Sequence, residues 1–418
     1  MAKIGLQTWG TTGDVQPFLA LAGALAARGH AVELSVATAS DAALEAPSGV
    51  TITRVPGAPS AAQMAELVQR TIALSSPLAQ GRLMLHEGLL PHVPALLDAA
   101  QSLARRSDLL VRHHFLYMAQ AAARQANIPE VSVFLTPDLL PTRAHPPTGM
   151  PSLGPLQSVA WWMMARGAGS IFLPPARTLA AQLGQPVPEH LMRDVWASST
   201  RNLIAVSPTL FPRPADWPEA HTLTGFWRSP MSHERPLIPT LDAFLSAGDA
   251  PLYATYGSMT PHDPQATQEL LSMLRDAARA TDRRLIVQLP DPAAFPQRSD
   301  DVHLVSGSPH AEVFPRCTAI LHHGGAGTTQ TALASGTPSI ITPHLADQHF
   351  WAAHLKRLGA ATTTPPRHKL TTRHLIRAIR QTLDTPTLTT RTTTLGQSLH
   401  AEDGLATAVR EIEALLYG

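Results

Sequence analysis

Short apolar runs alternate along this chain with longer stretches whose apolar positions recur every three or four residues. Ile4–Thr8 predicts a strand, and Val15–Arg28 a helix with Phe18, Leu21, Ala22 and Leu25 on one face. Further strands are expected at Val32–Ala37, Thr51–Val55, Leu109–Val111, Val131–Phe134 and Asn202–Ser207, the last of this half. The alternation restarts at Leu252–Tyr256, followed by a helix carrying Leu270, Leu271, Leu274, Ala277 and Ala278 on one side. Leu285–Leu289, Val302–Val305, Ala319–Leu321 and Ser339–Thr342 read as strands in turn. Leu375, Ile376, Ile379 and Leu383 mark a helix inside a Thr-rich stretch. Leu405, Val409, Ile412, Leu415 and Leu416 mark an amphipathic helix at the end.

Strands alternating with helices imply parallel sheets covered on both faces. Proline crowds Pro208–Pro239, which therefore reads as a linker rather than as sheet or helix interior. The 418 residues are too many for one core. The expected division is a doubly wound domain over 1–215, a linker over 216–238, a second doubly wound domain over 239–397, and a terminal helix over 398–418 that packs back on the first.

Composition narrows the function. Lys plus Arg is 32 and Asp plus Glu 31, a net charge of +1, so nothing is set up to neutralise a nucleic-acid backbone. The single cysteine, Cys317, excludes an internal disulfide framework and a cysteine-based zinc site. Lysine occurs only at Lys3, Lys356 and Lys369, which leaves few candidates for Schiff-base chemistry. No secretory signal and no spanning run are visible, so a cytoplasmic protein is expected. The most apolar patch, Val159–Ala165, reads either as a buried or lid segment or as a surface for a hydrophobic small molecule or a membrane. Its adjacent Trp161 and Trp162 cannot both face inward on one helix.

Two glycine-bearing turns carry candidate chemistry. Gly10-Thr11-Thr12-Gly13-Asp14 follows the first strand and opens the first helix, the edge where open α/β sheets bind ligands. Its glycine spacing does not fit a dinucleotide fingerprint, although Glu33 lies twenty residues past Gly13. Asp14 reads as a helix cap or as a general base at the mouth of a cleft. His322-His323-Gly324-Gly325-Ala326-Gly327-Thr328 follows a strand and opens a helix, which makes an anion site from backbone N–H groups and the helix dipole. It lacks the Gly-Lys-Ser/Thr of a Walker loop. His322 supplies a positive or donor group there. At the next strand-to-helix edge, Asp347 and Gln348 suit sugar hydroxyls, with a helix cap at Asp347 as the plainer reading. Together the two edges argue for a nucleotide-sugar pocket.

Four blocks in order, Trp9–Val32, Thr209–Trp227, Tyr253–Met259 and Ser308–Gly359, make the chain resemble the GT-B-fold, nucleotide-sugar-dependent glycosyltransferases of the UDP-glycosyltransferase superfamily. It is similar to their bacterial natural-product and sterol members. The resemblance implies an α/β fold of two Rossmann-like domains facing a cleft, the first binding acceptor and the second the nucleotide sugar. It implies an inverting transfer of a hexose or deoxyhexose from a UDP- or dTDP-sugar to a hydroxyl of a hydrophobic acceptor, with no cofactor and no metal. Asp14 then matches the acceptor-activating base and His322 the diphosphate contact. Ser258, Pro309, His310, His323, Gly324, Gly325, Gly327, Thr328, Asp347 and Gln348 match the donor site. Gln330 stands where plant-type members carry Glu for the ribose, so the chain does not choose between UDP and dTDP.

On the acceptor side, Trp9, Thr12, Met84, His113, His114, Phe115, Trp161 and Trp162 are the candidates, with His86 and Met163 nearby in kind. As a set they favour a hydrophobic aglycone, and a His114 role beside Asp14 is one option. The expected partners are the nucleotide sugar and the acceptor, without nucleic acid or a transmembrane segment, and a homodimer is left open. A catalytically silent sugar-nucleotide binder and an epimerase on a similar fold are the competing readings.

Overall fold

The structure is a computed structural model that describes residues 1–38, 44–228, 237–296, 300–345 and 347–417. It divides into two compact units. The first holds Met1–Leu67, Leu74–Ser229 and Glu402–Gly418, the second Val68–Ala73 and Pro230–Ala401.

The chain opens with β1 (Lys3–Gly10), α1 (Thr12–Ala27), β2 (Ala31–Thr38), β3 (Val50–Arg54), α2 (Ala61–Ile72), α3 (Pro77–Leu83) and α4 (Val93–Ala104). β4 (Leu109–His113), α5 (Tyr117–Ala126), β5 (Glu130–Phe134), α6 (Gln157–Gln182), β6 (Arg201–Ile204) and β7 (His221–Leu223) follow. Two π-helical stretches, Met84–Leu89 and Leu191–Trp196, interrupt this half. The seven strands form one sheet in the order β3-β2-β1-β4-β5-β6-β7, every pair parallel.

The second unit runs α7 (Pro239–Ser246), β8 (Leu252–Thr255), α8 (Pro264–Ala280), β9 (Leu285–Gln288), β10 (Val302–Val305), α9 (His310–Val313) and β11 (Ala319–His322). Then come α10 (Ala326–Ala334), β12 (Ser339–Ile341), α11 (Asp347–Arg357), β13 (Ala361–Thr363), α12 (Thr372–Leu383) and α13 (Pro386–His400). Its six strands lie in the order β10-β9-β8-β11-β12-β13, again all parallel. The last helix, α14 (Gly404–Tyr417), belongs to the first unit. Among the described residues no helix is long and apolar enough to cross a membrane.

In each sheet the chain reverses its direction of winding beside the first strand. These switch points lie between β1 and β4 in one unit and between β8 and β11 in the other. Crevices at the carboxyl ends of such strand pairs are where open α/β sheets hold ligands. Both glycine-bearing turns leave the sheets there.

Helix α1 buries Val15, Phe18, Leu21, Ala22 and Leu25 against Ile4, Leu6 and Leu34. Ala408, Val409 and Ile412 of α14 enter the same core, and Arg28 holds Glu413 through two hydrogen bonds of 3.1 Å. The chain reaches α14 through a close backbone crossing. Gly225 has φ +99°, and a Cβ there would stand 3.0 Å from the Gly404 Cα. Glu402 Oε1 accepts the hydroxyls of Ser207 and Thr209, each at 2.7 Å, beside this crossing.

Two expectations need correction. Asn202–Ser207 does not contain the last strand of its half. Strand β7 lies inside the proline-dense stretch read as linker and pairs with β6. Around it Phe211, Trp217 and Trp227 are buried, and the Trp227 indole donates to Thr224 Oγ1 at 2.9 Å. Prolines punctuate folded sheet edge here rather than replace it. Residues 229–236 of that stretch lie outside the described residues. In the second half, β13 was not foreseen, nor was α13 within the Thr-rich stretch.

Candidate active site

In the first unit the site begins where β1 stops. Gly10 has φ +110°, and a Cβ there would lie 2.5 Å from Asp14 Oδ2. Only glycine lets the chain turn with the carboxylate folded over it. Asp14 is not the helix cap. The cap is Thr11, and Asp14 sits three residues in, where its Oδ2 accepts the Thr11 backbone N–H at 2.8 Å and the Thr11 hydroxyl at 3.1 Å. This is the reach-back of a capping box, and the helix dipole favours a carboxylate at that point.

One oxygen is thus spent on structure and the other is not. Asp14 Oδ1 faces His113 Nε2 at 3.6 Å, from the last residue of β4. The His113 Nδ1 accepts the Phe115 backbone N–H at 3.4 Å, which leaves the ring proton on Nε2, toward the carboxylate. His113 is buried while Asp14 keeps a third of its side chain exposed. The structural and catalytic readings of Asp14 therefore do not compete, because they use different oxygens.

His114 does not stand beside Asp14. Its ring lies against the His113 ring, centroids 4.4 Å apart, while Nδ1 meets the Val133 carbonyl at 3.2 Å and the ring stacks on Phe134. Burial, with the neighbouring His113 second, pushes its pKa well below the usual histidine range. Phe115 joins Phe172 and Trp196 in an aromatic wall with ring centroids 5.5 to 6.1 Å apart.

In the second unit, β11 delivers His322 to the sheet edge. His322 Nδ1 accepts the Gly324 N–H at 3.1 Å, so Nε2 carries the proton, and that buried atom has no partner. Burial, followed by His323 and His310, drives the His322 pKa down to about 3. Burial therefore keeps the His322 ring neutral at neutral pH and leaves its Nε2–H as a donor. Gly324 has φ +93°, and a Cβ there would press on Ile341 Cγ2 at 2.9 Å and the Gln348 carbonyl at 3.2 Å. Glycine thus joins the His322 turn to the start of α11. Gly325 caps α10, and Gly327 and Thr328 occupy its first turn.

The neighbouring edge after β8 brings Ser258, half-buried in a short 3-10 turn. Gly257 of that turn lies against the His323 ring, at 3.5 Å for a built Cβ. Gln348 Oε1 accepts the backbone N–H groups of His344 and Leu345 at 2.9 and 3.1 Å. That oxygen holds the loop, so the amide nitrogen is what Gln348 has to offer a sugar hydroxyl. Asp347 begins the same helix. His310 stacks on Phe314 at 4.4 Å and meets Gln288 Oε1 at 3.0 Å, with its pKa pushed to about 4 by burial. Pro309 caps α9, the short helix that His310 begins.

His344 was missed. It sits between Tyr256 and His323, donates Nδ1–H to the Thr342 carbonyl at 2.8 Å, and leaves Nε2 buried without a partner. His323 Nδ1 is a third such atom. Three orphaned imidazole nitrogens on adjoining edges are the polar groups a ligand would satisfy. Among the described residues no group of three or more His, Cys, Asp or Glu is placed to hold a metal ion.

The chain is similar to known proteins. Residues 4–85 match the glycosyltransferase family 28 N-terminal domain, and residues 272–415 the C-terminal domain of erythromycin biosynthesis protein CIII-like proteins. O-mycaminosyltylonolide 6-deoxyallosyltransferase of Streptomyces fradiae is 30% identical, over 98% of this chain and 97% of its own length. The chain belongs to the GT-B glycosyltransferases. A sterol 3-beta-glucosyltransferase of Arabidopsis thaliana is 28% identical to this glycosyltransferase over 97% of the chain and 67% of its own length. Among solved structures, the glycotransferase of kitacinnamycin superposes with a TM-score of 0.71 at 19% identity, covering 99% of both chains. Glycosyltransferase VinC, solved in complex with dTDP, gives 0.65 at 20% identity over the whole of both chains.

The remaining acceptor-side candidates of this glycosyltransferase separate into two groups. Trp9 and Met84 both lie against Gly88, 3.8 Å from a built Cβ, and Thr12 is exposed in the first turn of α1. Trp161 instead faces the core, 5% exposed, with its indole donating to the His145 carbonyl at 2.8 Å. Trp162 faces out at 60% exposure.

Proposed function

We propose that this glycosyltransferase is an inverting enzyme that moves a hexose or deoxyhexose from a UDP- or dTDP-sugar to a hydroxyl of a hydrophobic acceptor, of natural-product or sterol type. The observation that carries the donor half is the unpartnered, neutral Nε2–H of His322 at the amino end of α10. A diphosphate there meets backbone N–H groups, the helix dipole and a donor that costs no proton bookkeeping. The dTDP bound in the VinC structure supports a nucleotide diphosphate as the donor's handle.

Asp14 Oδ1 takes the acceptor proton as the hydroxyl oxygen attacks the anomeric carbon from the side opposite the diphosphate. The attack breaks the bond to the diphosphate oxygen and inverts the configuration. His113 Nε2–H faces that carboxylate from 3.6 Å and orients it electrostatically. His322, Ser258 and the α10 amino end take up the charge on the leaving diphosphate, while Asp347 and the Gln348 amide orient the sugar. His323, Gly324, Gly325, Gly327, Thr328, Pro309 and His310 shape the donor edge. Trp9, Thr12, Met84 and Phe115 face the acceptor.

The test is turnover. The purified chain is incubated with UDP-glucose and with dTDP-deoxysugars, each against hydrophobic alcohols and phenols, and products are read by mass. The proposal expects an acceptor heavier by one sugar residue. Donor conversion without any acceptor product would point to the epimerase reading instead.

A further inference from the structure

Ten large hydrophobic side chains are strongly exposed among the described residues, and six of them gather in one place. Leu153 and Leu156 precede α6, Val159, Trp162 and Met163 are in its first two turns, and Leu78 is on α3. At 100° per residue, Leu156, Val159, Trp162, Met163 and Arg166 fall on one side of α6. Ala160, Trp161, Ala168 and Ile171, all buried, fall on the opposite side. Leu78 continues the exposed side, since it lies 3.4 Å from a Cβ built on Gly167 of α6. Monomer surfaces rarely group apolar residues this way without a partner.

The charge around this face has one sign. No acidic residue occurs between Asp138 and Glu189, and the only charged side chains in that interval are Arg143, Arg166 and Arg177. Between Glu66 and Glu87 the charged side chains are Arg70 and Arg82. Arg166 stands over the Trp162 ring at 5.5 Å. Trp, Leu and Met beside arginine, without acid, is the composition of a helix that lies in the boundary between headgroups and acyl chains. A second copy of the chain is a poorer fit. A two-fold contact would set this face, with Arg166 and Arg82, against its own like charges.

We propose that the α3–α6 face docks on a lipid bilayer whose headgroups are anionic. Leu156, Val159, Trp162 and Met163 enter the headgroup boundary, and Arg166 and Arg82 meet the headgroup phosphates. Without a second anchor such binding is reversible and weakens with salt.

The experiment is sedimentation of the full chain with vesicles of phosphatidylcholine alone and of phosphatidylcholine mixed with phosphatidylglycerol. Binding is expected to the mixed vesicles, with a weaker partition on phosphatidylcholine. Arg166→Gln lowers the partition about fivefold. Trp162→Gln with Met163→Gln lowers it about tenfold or more. All these positions are exposed, so the circular dichroism and melting of the variants are expected to match the parent. Absence of vesicle binding by the parent chain overturns the proposal, as does equal binding to both compositions that Arg166→Gln leaves unchanged. Sedimentation velocity is the second measurement. A dimer that Trp162→Gln dissociates, in a chain that ignores vesicles, would assign the face to self-association.

Discussion

His113 Nε2 lies 3.6 Å from Asp14 Oδ1, across the gap between the ends of β4 and β1. The two residues are 99 positions apart in the chain and meet because β1 and β4 are neighbours at the switch point. Replacing Asp14 by Asn keeps an oxygen for the Thr11 contacts but removes the base. kcat is expected to fall by about 10²- to 10⁴-fold with little change in melting temperature. His113→Phe is expected to lower kcat by a smaller factor at unchanged donor KM, because it loosens the carboxylate without touching the donor. Steady-state kinetics at saturating donor check both, and full activity in Asp14→Asn would remove Asp14 from the mechanism.

The alternation of strands and helices, the two-domain organisation and both glycine turns were legible in the sequence, because parallel strands buried on two faces stand out as apolar runs. β7 and β13 were not. Each is three residues long, His-Thr-Leu and Ala-Thr-Thr, too short and too polar to show a run. The choice between His113 and His114 was also hidden. It rests on packing at the end of β4, where the two rings touch, with centroids 4.4 Å apart, but take different partners. His114 Nδ1 is taken by the Val133 carbonyl and its ring by Phe134, which leaves His113 Nε2 facing Asp14. His344 gave no signal, because its interest comes from a buried, unpartnered ring nitrogen that only packing reveals.

His322 is a neutral donor, so its contribution does not depend on a titration near neutrality. His322→Ala is expected to cost about 10²- to 10³-fold in kcat, the range for removing one preorganised donor from developing negative charge. His322→Gln, which keeps an N–H, recovers part of that loss. Equal damage by both substitutions would argue for a packing role.

Glycine at position 10 carries two constraints, a positive φ and the Asp14 carboxylate. Gly10→Ala is expected to lower stability by about 1–3 kcal/mol and, by displacing Asp14, to lower kcat as well. Gly404→Ala is the control. A Cβ there would stand 2.6 Å from the Phe226 carbonyl, so stability falls while kcat of the folded enzyme holds. Thermal melting beside kinetics separates the two.

Six histidines of the second unit are held below the ordinary value of 6.5, each chiefly by burial: His310 and His323 near 4, His322 and His344 near 3, and His303 and His349 lowered as well. As pH falls below about 6.5 the unfolded chain takes up protons that the folded chain refuses. Stability is therefore full above that pH and is lost on the way down to pH 4 and 3. Each extra proton bound on unfolding steepens the loss by about 1.4 kcal/mol per pH unit. Denaturant melts from pH 7.5 to 4.5 are expected to show this decline, relieved in part by His344→Phe. A flat profile would mean that these rings are hydrated.

The central claim is a direct displacement in which Asp14 deprotonates the acceptor. Its most direct test is the anomeric configuration of the product, read by proton NMR coupling constants after transfer from an α-linked nucleotide sugar. The account predicts a β-linked glycoside from the parent enzyme and its loss in Asp14→Asn. An α-linked product would contradict it.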